Sequence, residues 1–192
     1  MIDIKFPKKK SFKEIQKFFI NKKLKFILEE SKRKKKDVNQ LQLNTPYPPS
    51  LKDLYRLYQF IILNKRTTVF EFGSGWSSLI FYISLNELKK KHLNDVKKLR
   101  RNNPFELFIL ENEKKYLNIS KKRILKFSKI MEKIKVHYSL SEVEMILFEN
   151  RIATQYIKLP VCNPDFIYVD GPDQYNIKKN INGINLAHKD LM

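Results

Sequence analysis

Acidic residues and glycines stand together at three places in this sequence. Glu71 lies two residues before Gly73-Ser74-Gly75, Glu111 closes another apolar segment, and Asp170 directly precedes Gly171. The chain contains only 4 glycines, and glycine is needed where the backbone turns with positive φ or approaches a ligand closely. The pattern therefore predicts a ligand-binding rim built from acidic side chains and glycine turns.

Short segments of strand character precede these residues. Thr67–Phe72 is β-branched and aromatic and stops at the glycines, and Glu106–Leu110 stops at Glu111. Further segments of this kind are Ile134–Leu140 and Pro164–Val169. Apolar residues at helical spacing separate the first three, so the alternation predicts right-handed parallel βαβ units in an α/β fold. The strand ends then share one sheet edge, where open α/β sheets bind ligands.

The segments between these strands differ in character. The first helical pattern gives way to a charged stretch, residues 89–103, and the second predicts a helix through about Met131. Met145–Phe148 and Ile152–Ile157 then flank a polar tripeptide. That arrangement predicts a β-hairpin inserted before the last core strand.

The N-terminal part is rich in lysine. Residues 8–36 also carry apolar residues at helical spacing, which predicts one or two amphipathic basic helices. The prolines in residues 44–49 exclude a helix there and mark a boundary. A helix is expected after Ser50, whose hydroxyl should accept a hydrogen bond from the first turn. We therefore expect a basic helical extension over residues 1–43 and a ligand-binding domain over residues 44–192.

The formal net charge of +19 would attract RNA, anionic membrane surfaces or acidic substrates. However, the excess is mostly lysine, it is spread along the chain, and Ile, Asn, Phe and Tyr are also abundant. An A/T-rich coding sequence would produce the same bias. Charge therefore leaves nucleic-acid binding open without favouring it.

Other classes of protein are disfavoured by composition. No segment approaches the roughly 18 apolar residues needed to cross a bilayer, and the start of the chain lacks a signal-peptide pattern. The single cysteine, Cys162, cannot form an internal disulfide, and no zinc-ligand spacing occurs. We expect a cytoplasmic protein without a structural metal.

The turn after the first strand allows more than one interpretation. Gly-x-Gly is typical of nucleotide binding, but Ser78 stands where a dinucleotide fingerprint has its third glycine. Glu111 is placed to accept hydrogen bonds from ribose hydroxyls, or else to cap the next helix. Asp170 is either a general base or a turn residue. Asp170 and Asp173 together are too few carboxylates to predict a divalent cation site.

These motifs resemble those of class I S-adenosylmethionine-dependent methyltransferases. The likeness rests on Glu71-x-Gly-x-Gly-x-Ser77, on Glu111 and on Asp170-Gly171-Pro172, and it covers about residues 50–190. It implies a Rossmann-like three-layer sandwich whose mainly parallel sheet has the strand order 3-2-1-4. It also implies S-adenosyl-L-methionine as the cofactor.

The resemblance assigns roles to individual residues. Glu111 would bind the ribose hydroxyls, Ser139 would flank the adenine, and Asp170 would face the methyl group and the acceptor as the catalytic residue. The residues that would hold the methionine portion and approach the ribose are Glu71, Gly73, Gly75 and Ser77, and Phe72 and Ser74 of the same turn are also expected to bind the cofactor. Acids suit a sulfonium and an ammonium, whereas a pyrophosphate would prefer N–H groups and basic residues.

The expected activity is methyl transfer to a hydroxyl, amine or carboxylate of a small molecule or glycan precursor. The complete family fold continues with a fifth strand and a reversed hairpin, and this chain stops soon after the fourth core strand. We therefore expect a piece of a longer protein or a reduced form whose activity is impaired. One alternative is a non-catalytic or RNA-directed nucleotide-binding module that uses the basic surface. Another, an NAD-dependent enzyme, is disfavoured by Ser78.

Overall fold

The structure, a computed structural model, describes residues 4–33, 46–128, 134–173, 176–177 and 181. The chain forms two compact units, Met1–Arg66 and Thr67–Met192. The helix that begins at Leu51 thus groups by contact with the basic N-terminal unit, whereas the sequence analysis assigned it to the ligand-binding domain. The predicted run of helix to Met131 continues into residues 129–133, which lie outside the described part.

The first unit contains the helices α1 (Phe12–Asn21), α2 (Lys25–Ser31) and α3 (Leu51–Leu63). These agree with the prediction of one or two basic helices followed by another helix after the prolines. The side chain of Ser11 accepts from the Glu14 amide in a capping box, which fixes the start of α1. Ser50 is the N-cap of α3, but its hydroxyl makes no capping bond. That part of the prediction was wrong, because the polar side chain can turn to other partners or to solvent.

The second unit is built on a parallel sheet of the strands β1 (Thr68–Phe72), β2 (Glu106–Glu111), β3 (Lys135–Leu140) and β6 (Phe166–Val169). Their order in the sheet is β3-β2-β1-β6, as predicted. Helices α4 (Trp76–Val96) and α5 (Lys114–Ser128) connect the first three strands and contact the sheet and each other. Helix α4 extends past the last periodic residue into the charged stretch, because lysines are good helix formers and Val96 is buried at its end.

A separate antiparallel hairpin, β4 (Val143–Phe148) and β5 (Arg151–Tyr156), is inserted before β6. Its turn residues Glu149 and Asn150 have φ values of 50° and 62°, as the favoured two-residue hairpin turn requires. The hairpin contacts the sheet through a buried apolar cluster. The members of this cluster are Phe70, Phe108, Leu110, Val143 and Tyr156.

The amino ends of β1 and β6 are held together by Asp165. Its carboxylate accepts from the amides of Thr67 and Thr68 at 2.9–3.1 Å and pairs with the Arg101 guanidinium at 3.2 Å. In the register of the sheet, Glu71 faces Tyr168 of β6 on one side and Ile109 of β2 on the other. The carboxyl ends of the three strands are therefore brought level with one another.

Candidate ligand site at the carboxyl edge of the sheet

Strands β2 and β3 are added on one side of β1, whereas β6 is added on its other side. Two glycines meet where β1 and β6 end. Gly73 has φ +88°, and a Cβ on it would lie 2.9 Å from the carbonyl carbon and oxygen of Asp170. A Cβ on Gly171 would lie 2.8 Å from the Cα of Gly73. Only glycine fits at these two positions, so the backbones after β1 and β6 are in direct contact.

Glu71 lies under the turn between β1 and α4 and has no exposed surface. One carboxyl oxygen accepts from the Ser77 hydroxyl and the other from the Ser78 hydroxyl, the latter at 2.5 Å. Burial raises the pKa of Glu71 to about 8 despite these two bonds, and the nearby charges of Asp170 and Glu111 raise it further. The carboxyl group therefore holds the first turn of α4 and is largely protonated at neutral pH.

The contacts of Ser78 explain why a serine stands at the position of the third glycine in the dinucleotide pattern. Besides bonding Glu71, its hydroxyl accepts from the Gly75 amide at 3.2 Å. The Gly75 carbonyl in turn accepts from Ser120 of α5 at 3.2 Å. The side chain at this position thus makes bonds that a glycine could not, and the turn is fixed to both helices.

Glu111 holds the same turn from the side of β2. It is 2% exposed and accepts from the Ser74 hydroxyl at 2.6 Å and from the amides of Asn112 and Glu113 at 2.9 and 3.1 Å. Burial is the main cause that raises its pKa. The capping interpretation therefore has support in the contacts to the chain just ahead of α5, and binding of ribose stays a prediction. Glu71 and Glu111 meet at one rim, as the sequence predicted.

Asp170 differs from the other two acids because it is exposed. Its amide donates to the Phe72 carbonyl at 2.8 Å, while its carboxylate has no hydrogen bond within the described part of the chain. Partial burial raises its pKa above the ordinary aspartate value. Of the three carboxyl groups, Asp170 is thus the one presented to an incoming molecule.

The remaining predicted residues have different surroundings. The Phe72 ring packs on Phe70 and Tyr156, with centroids 4.3 and 5.7 Å apart, so its side chain serves packing. Ser139 is half-buried at the end of β3 beside Leu110, two strands away from β1. The structure therefore does not bring Ser139 to the turn, and its proposed contact with adenine stays a prediction.

Asn112 is a residue of this edge that the sequence analysis missed. Its side-chain amide donates to the carbonyls of Asp173 and Asn176 at 3.0 and 2.9 Å, and its oxygen accepts from the Asp173 amide at 2.8 Å. Asn176 returns a bond to the Asn112 carbonyl at 2.8 Å. The segment after β6 is thereby tied to the end of β2 across β1. The sequence signal that could have identified Asn112 is its position directly after Glu111, at the end of a strand.

Among the described residues, no basic side chain pairs with the acids of the rim. In residues 4–33, 46–128, 134–173, 176–177 and 181, none of the ion pairs involves Glu71, Glu111 or Asp170. The Arg123 guanidinium instead stacks 3.6 Å from the centroid of the Trp76 ring. The same residues contain no group of three or more His, Cys, Asp or Glu that could hold a metal ion.

The carboxyl edge therefore combines a glycine contact, a turn held by two buried acids and one exposed carboxylate. No described helix combines the length and the apolar character that a bilayer-spanning helix requires. In comparisons with known proteins, no family model, no curated protein and no solved structure matches the chain.

Proposed function

We propose that the second unit binds S-adenosyl-L-methionine at this edge and transfers its methyl group to a hydroxyl, amine or carboxylate of a small molecule or glycan precursor. One observation carries the proposal: Glu71, Glu111 and Asp170 converge on one rim without an ion-pair partner among the described residues. They do so in a chain whose formal net charge is +19. An exposed carboxylate with two buried acids behind it, on so basic a protein, favours a cationic ligand.

The effect of the other two acids on Glu71 supports the same conclusion. The charges of Asp170 and Glu111 raise the pKa of Glu71, which means that these two carboxylates disfavour ionisation of Glu71. A sulfonium and an ammonium at the rim would relieve this repulsion. A pyrophosphate would increase it, so the arrangement disfavours a dinucleotide.

The acids can serve such a ligand in different ways. A carboxylate offers about four acceptor positions, and Glu111 is engaged by the Ser74 hydroxyl and by the amides of Ser74, Asn112 and Glu113. A ribose hydroxyl would therefore bind Glu111 in place of one of these donors. Glu71 acts indirectly, because it holds the turn that carries Gly73, and Asp170 would face the charged centre.

Proton transfer is the chemical task that falls to this chain. The bound cofactor would supply an activated methyl group on its sulfonium. Methyl transfer to a hydroxyl or an amine also needs a group that accepts the proton of the acceptor. Asp170 is exposed, and its raised pKa makes it a stronger base than an ordinary aspartate. We assign it that role.

The strand order supports the proposal at the level of the fold. In the sheet β3-β2-β1-β6, the order reverses at β1, and open α/β sheets bind ligands at such a point. A Rossmann-like three-layer arrangement and a cytoplasmic location belong to the proposal as well.

Calorimetric titration tests the proposal. S-adenosylhomocysteine and NADH are titrated separately into the 192-residue chain, into Asp170→Asn and into Asp95→Asn. We expect S-adenosylhomocysteine to bind and NADH to bind much more weakly or not at all. Asp170→Asn should weaken binding about fivefold, the size of one partly solvated charge interaction.

Asp95→Asn is the matched control, because the Asp95 side chain is 73% exposed and lies near the opposite end of α4. The affinity of this variant for S-adenosylhomocysteine should equal that of the parent chain. If the folded parent chain shows no heat with S-adenosylhomocysteine, or binds NADH more tightly, the proposal is wrong.

A further inference from the structure

Tyr156 brings a phenol from the inserted hairpin to the carboxyl edge. Its side chain is 7% exposed, and its ring packs in the apolar cluster with Phe70 and Leu110. Its hydroxyl would lie 3.3 Å from a Cβ placed on Gly171. The hydroxyl thus lies beside the contact between Gly73 and Gly171.

Within the described part of the chain, the phenolic hydrogen of Tyr156 has no acceptor. The hydroxyl is buried and makes no hydrogen bond that satisfies normal geometry with the described residues. The Gly73 amide is close enough to lower its pKa, but an N–H group cannot accept the phenolic hydrogen. Burial, followed by the charge of Glu111, raises the pKa of Tyr156 strongly, so the group remains a neutral donor. A buried donor without an acceptor costs free energy.

The other side-chain donors around the turn are already used. The hydroxyl of Ser74 donates to Glu111, and those of Ser77 and Ser78 donate to Glu71. The amide of Asn112 donates to the segment after β6. The Tyr156 hydroxyl is therefore the unused side-chain donor of this turn within the described residues, and it stands in an acidic environment.

We propose that the Tyr156 hydroxyl donates a hydrogen bond to the carboxylate of the methionine portion of the ligand. This inference rests on the proposed function and adds a binding residue to it. The ligand carries both signs of charge: its cationic groups suit the acids of the rim, and its carboxylate requires a donor there. The position beside Gly73 and Gly171 places that donor where the strands β1 and β6 end.

Two ligands and two variants test the inference. S-adenosylhomocysteine carries the carboxylate, whereas 5′-methylthioadenosine keeps the adenosine and lacks it. Both are titrated into the parent chain, Tyr156→Phe and Tyr82→Phe. Tyr82 is the matched control, because its hydroxyl is also buried and makes no hydrogen bond of normal geometry with the described residues. It lies in α4, about 9 Å along the helix from its start.

We expect Tyr156→Phe to weaken binding of S-adenosylhomocysteine by about tenfold or more and to leave 5′-methylthioadenosine unchanged. Tyr82→Phe should change neither affinity. The thermal midpoint of ligand-free Tyr156→Phe should equal or exceed that of the parent chain, because the substitution removes a buried donor without an acceptor.

Different results overturn different statements. Equal affinities of Tyr156→Phe and the parent chain for S-adenosylhomocysteine overturn the inference and leave the proposed function standing. The same loss with both ligands, or a lower thermal midpoint, assigns the hydroxyl a structural role and also overturns it. No binding of S-adenosylhomocysteine by the parent chain overturns the proposed function and this inference together.

Discussion

Gly73 and Gly171 are in contact backbone to backbone, with the Cα of Gly73 2.8 Å from the position that a Cβ of Gly171 would occupy. This contact joins the ends of β1 and β6 at the point where the order of the sheet reverses. It leaves no room for a side chain at either residue, so the geometry of the rim depends on both glycines.

Gly73→Ala should therefore destabilise the chain by about 2 kcal/mol or more, since alanine at positive φ is strained and its Cβ would press on the backbone of Asp170. Gly75→Ala is the matched control: Gly75 has φ −166°, and its Cβ would make an ordinary contact of 3.6 Å with Ser77. Urea unfolding compares the two variants. Equal stability of Gly73→Ala and Gly75→Ala would contradict the close contact.

The stability of the chain should fall as the pH rises from about 4.5 to about 8. The pKa of Glu71 is raised from 4.5 to about 8 in the fold, so the folded state holds a proton that the unfolded state has lost over this range. The contribution of Glu71 to stability is fully present below pH 4.5 and is lost as the pH rises through about 8. The free energy of unfolding should change by at most about 1.4 kcal/mol per pH unit because of this group. Urea unfolding at several pH values measures it.

Glu71→Gln should flatten this slope, because the amide does not titrate and can still bond the two serines. At pH 5 the variant should be no more stable than the parent chain. Between pH 5 and pH 8 the free energy of unfolding should fall less in the variant than in the parent chain. An unchanged slope in Glu71→Gln would show that another group is responsible.

Asn112→Ala should cost about 1–3 kcal/mol, since it removes three side-chain hydrogen bonds of a buried residue. It should also speed amide hydrogen exchange at Asp173, whose N–H group loses its acceptor. Asn112→Asp retains an acceptor oxygen there and serves as the control, with slower exchange at Asp173 than Asn112→Ala. Unchanged exchange in the alanine variant would argue against the connection across β1.

Asp165→Ala should destabilise the chain by about 2–4 kcal/mol, because it leaves the buried amides of Thr67 and Thr68 without their acceptor and Arg101 without its ion-pair partner. Asp95→Asn, which changes an exposed aspartate, should alter stability by less than about 0.5 kcal/mol. Urea unfolding measures both variants. A loss below 1 kcal/mol in Asp165→Ala would mean that the register of β1 and β6 does not depend on this carboxylate.

Much of the fold followed from local patterns in the sequence. Short β-branched and aromatic segments alternate with helical ones, and this alternation dictates parallel strands with their carboxyl ends at one edge. The meeting of Glu71, Glu111 and Asp170 at that edge was predictable for the same reason, because each residue lies within one position of the carboxyl end of a strand. Where no apolar periodicity was present, as in the charged end of α4, the pattern failed to show how far the helix extends.

The partners of these residues were decided only by the tertiary structure. Asn112 bonds Asp173 across 61 positions of the chain, and Tyr156 reaches Gly73 from a hairpin whose sequence shows only that it is a hairpin. Whether an acid is buried beneath a turn, like Glu71, or exposed beside it, like Asp170, depends on which distant segments pack over it. Spacing along the chain determines which elements form and which strand ends align; burial, hydrogen-bond partners and pKa arise from contacts between segments that are far apart in sequence.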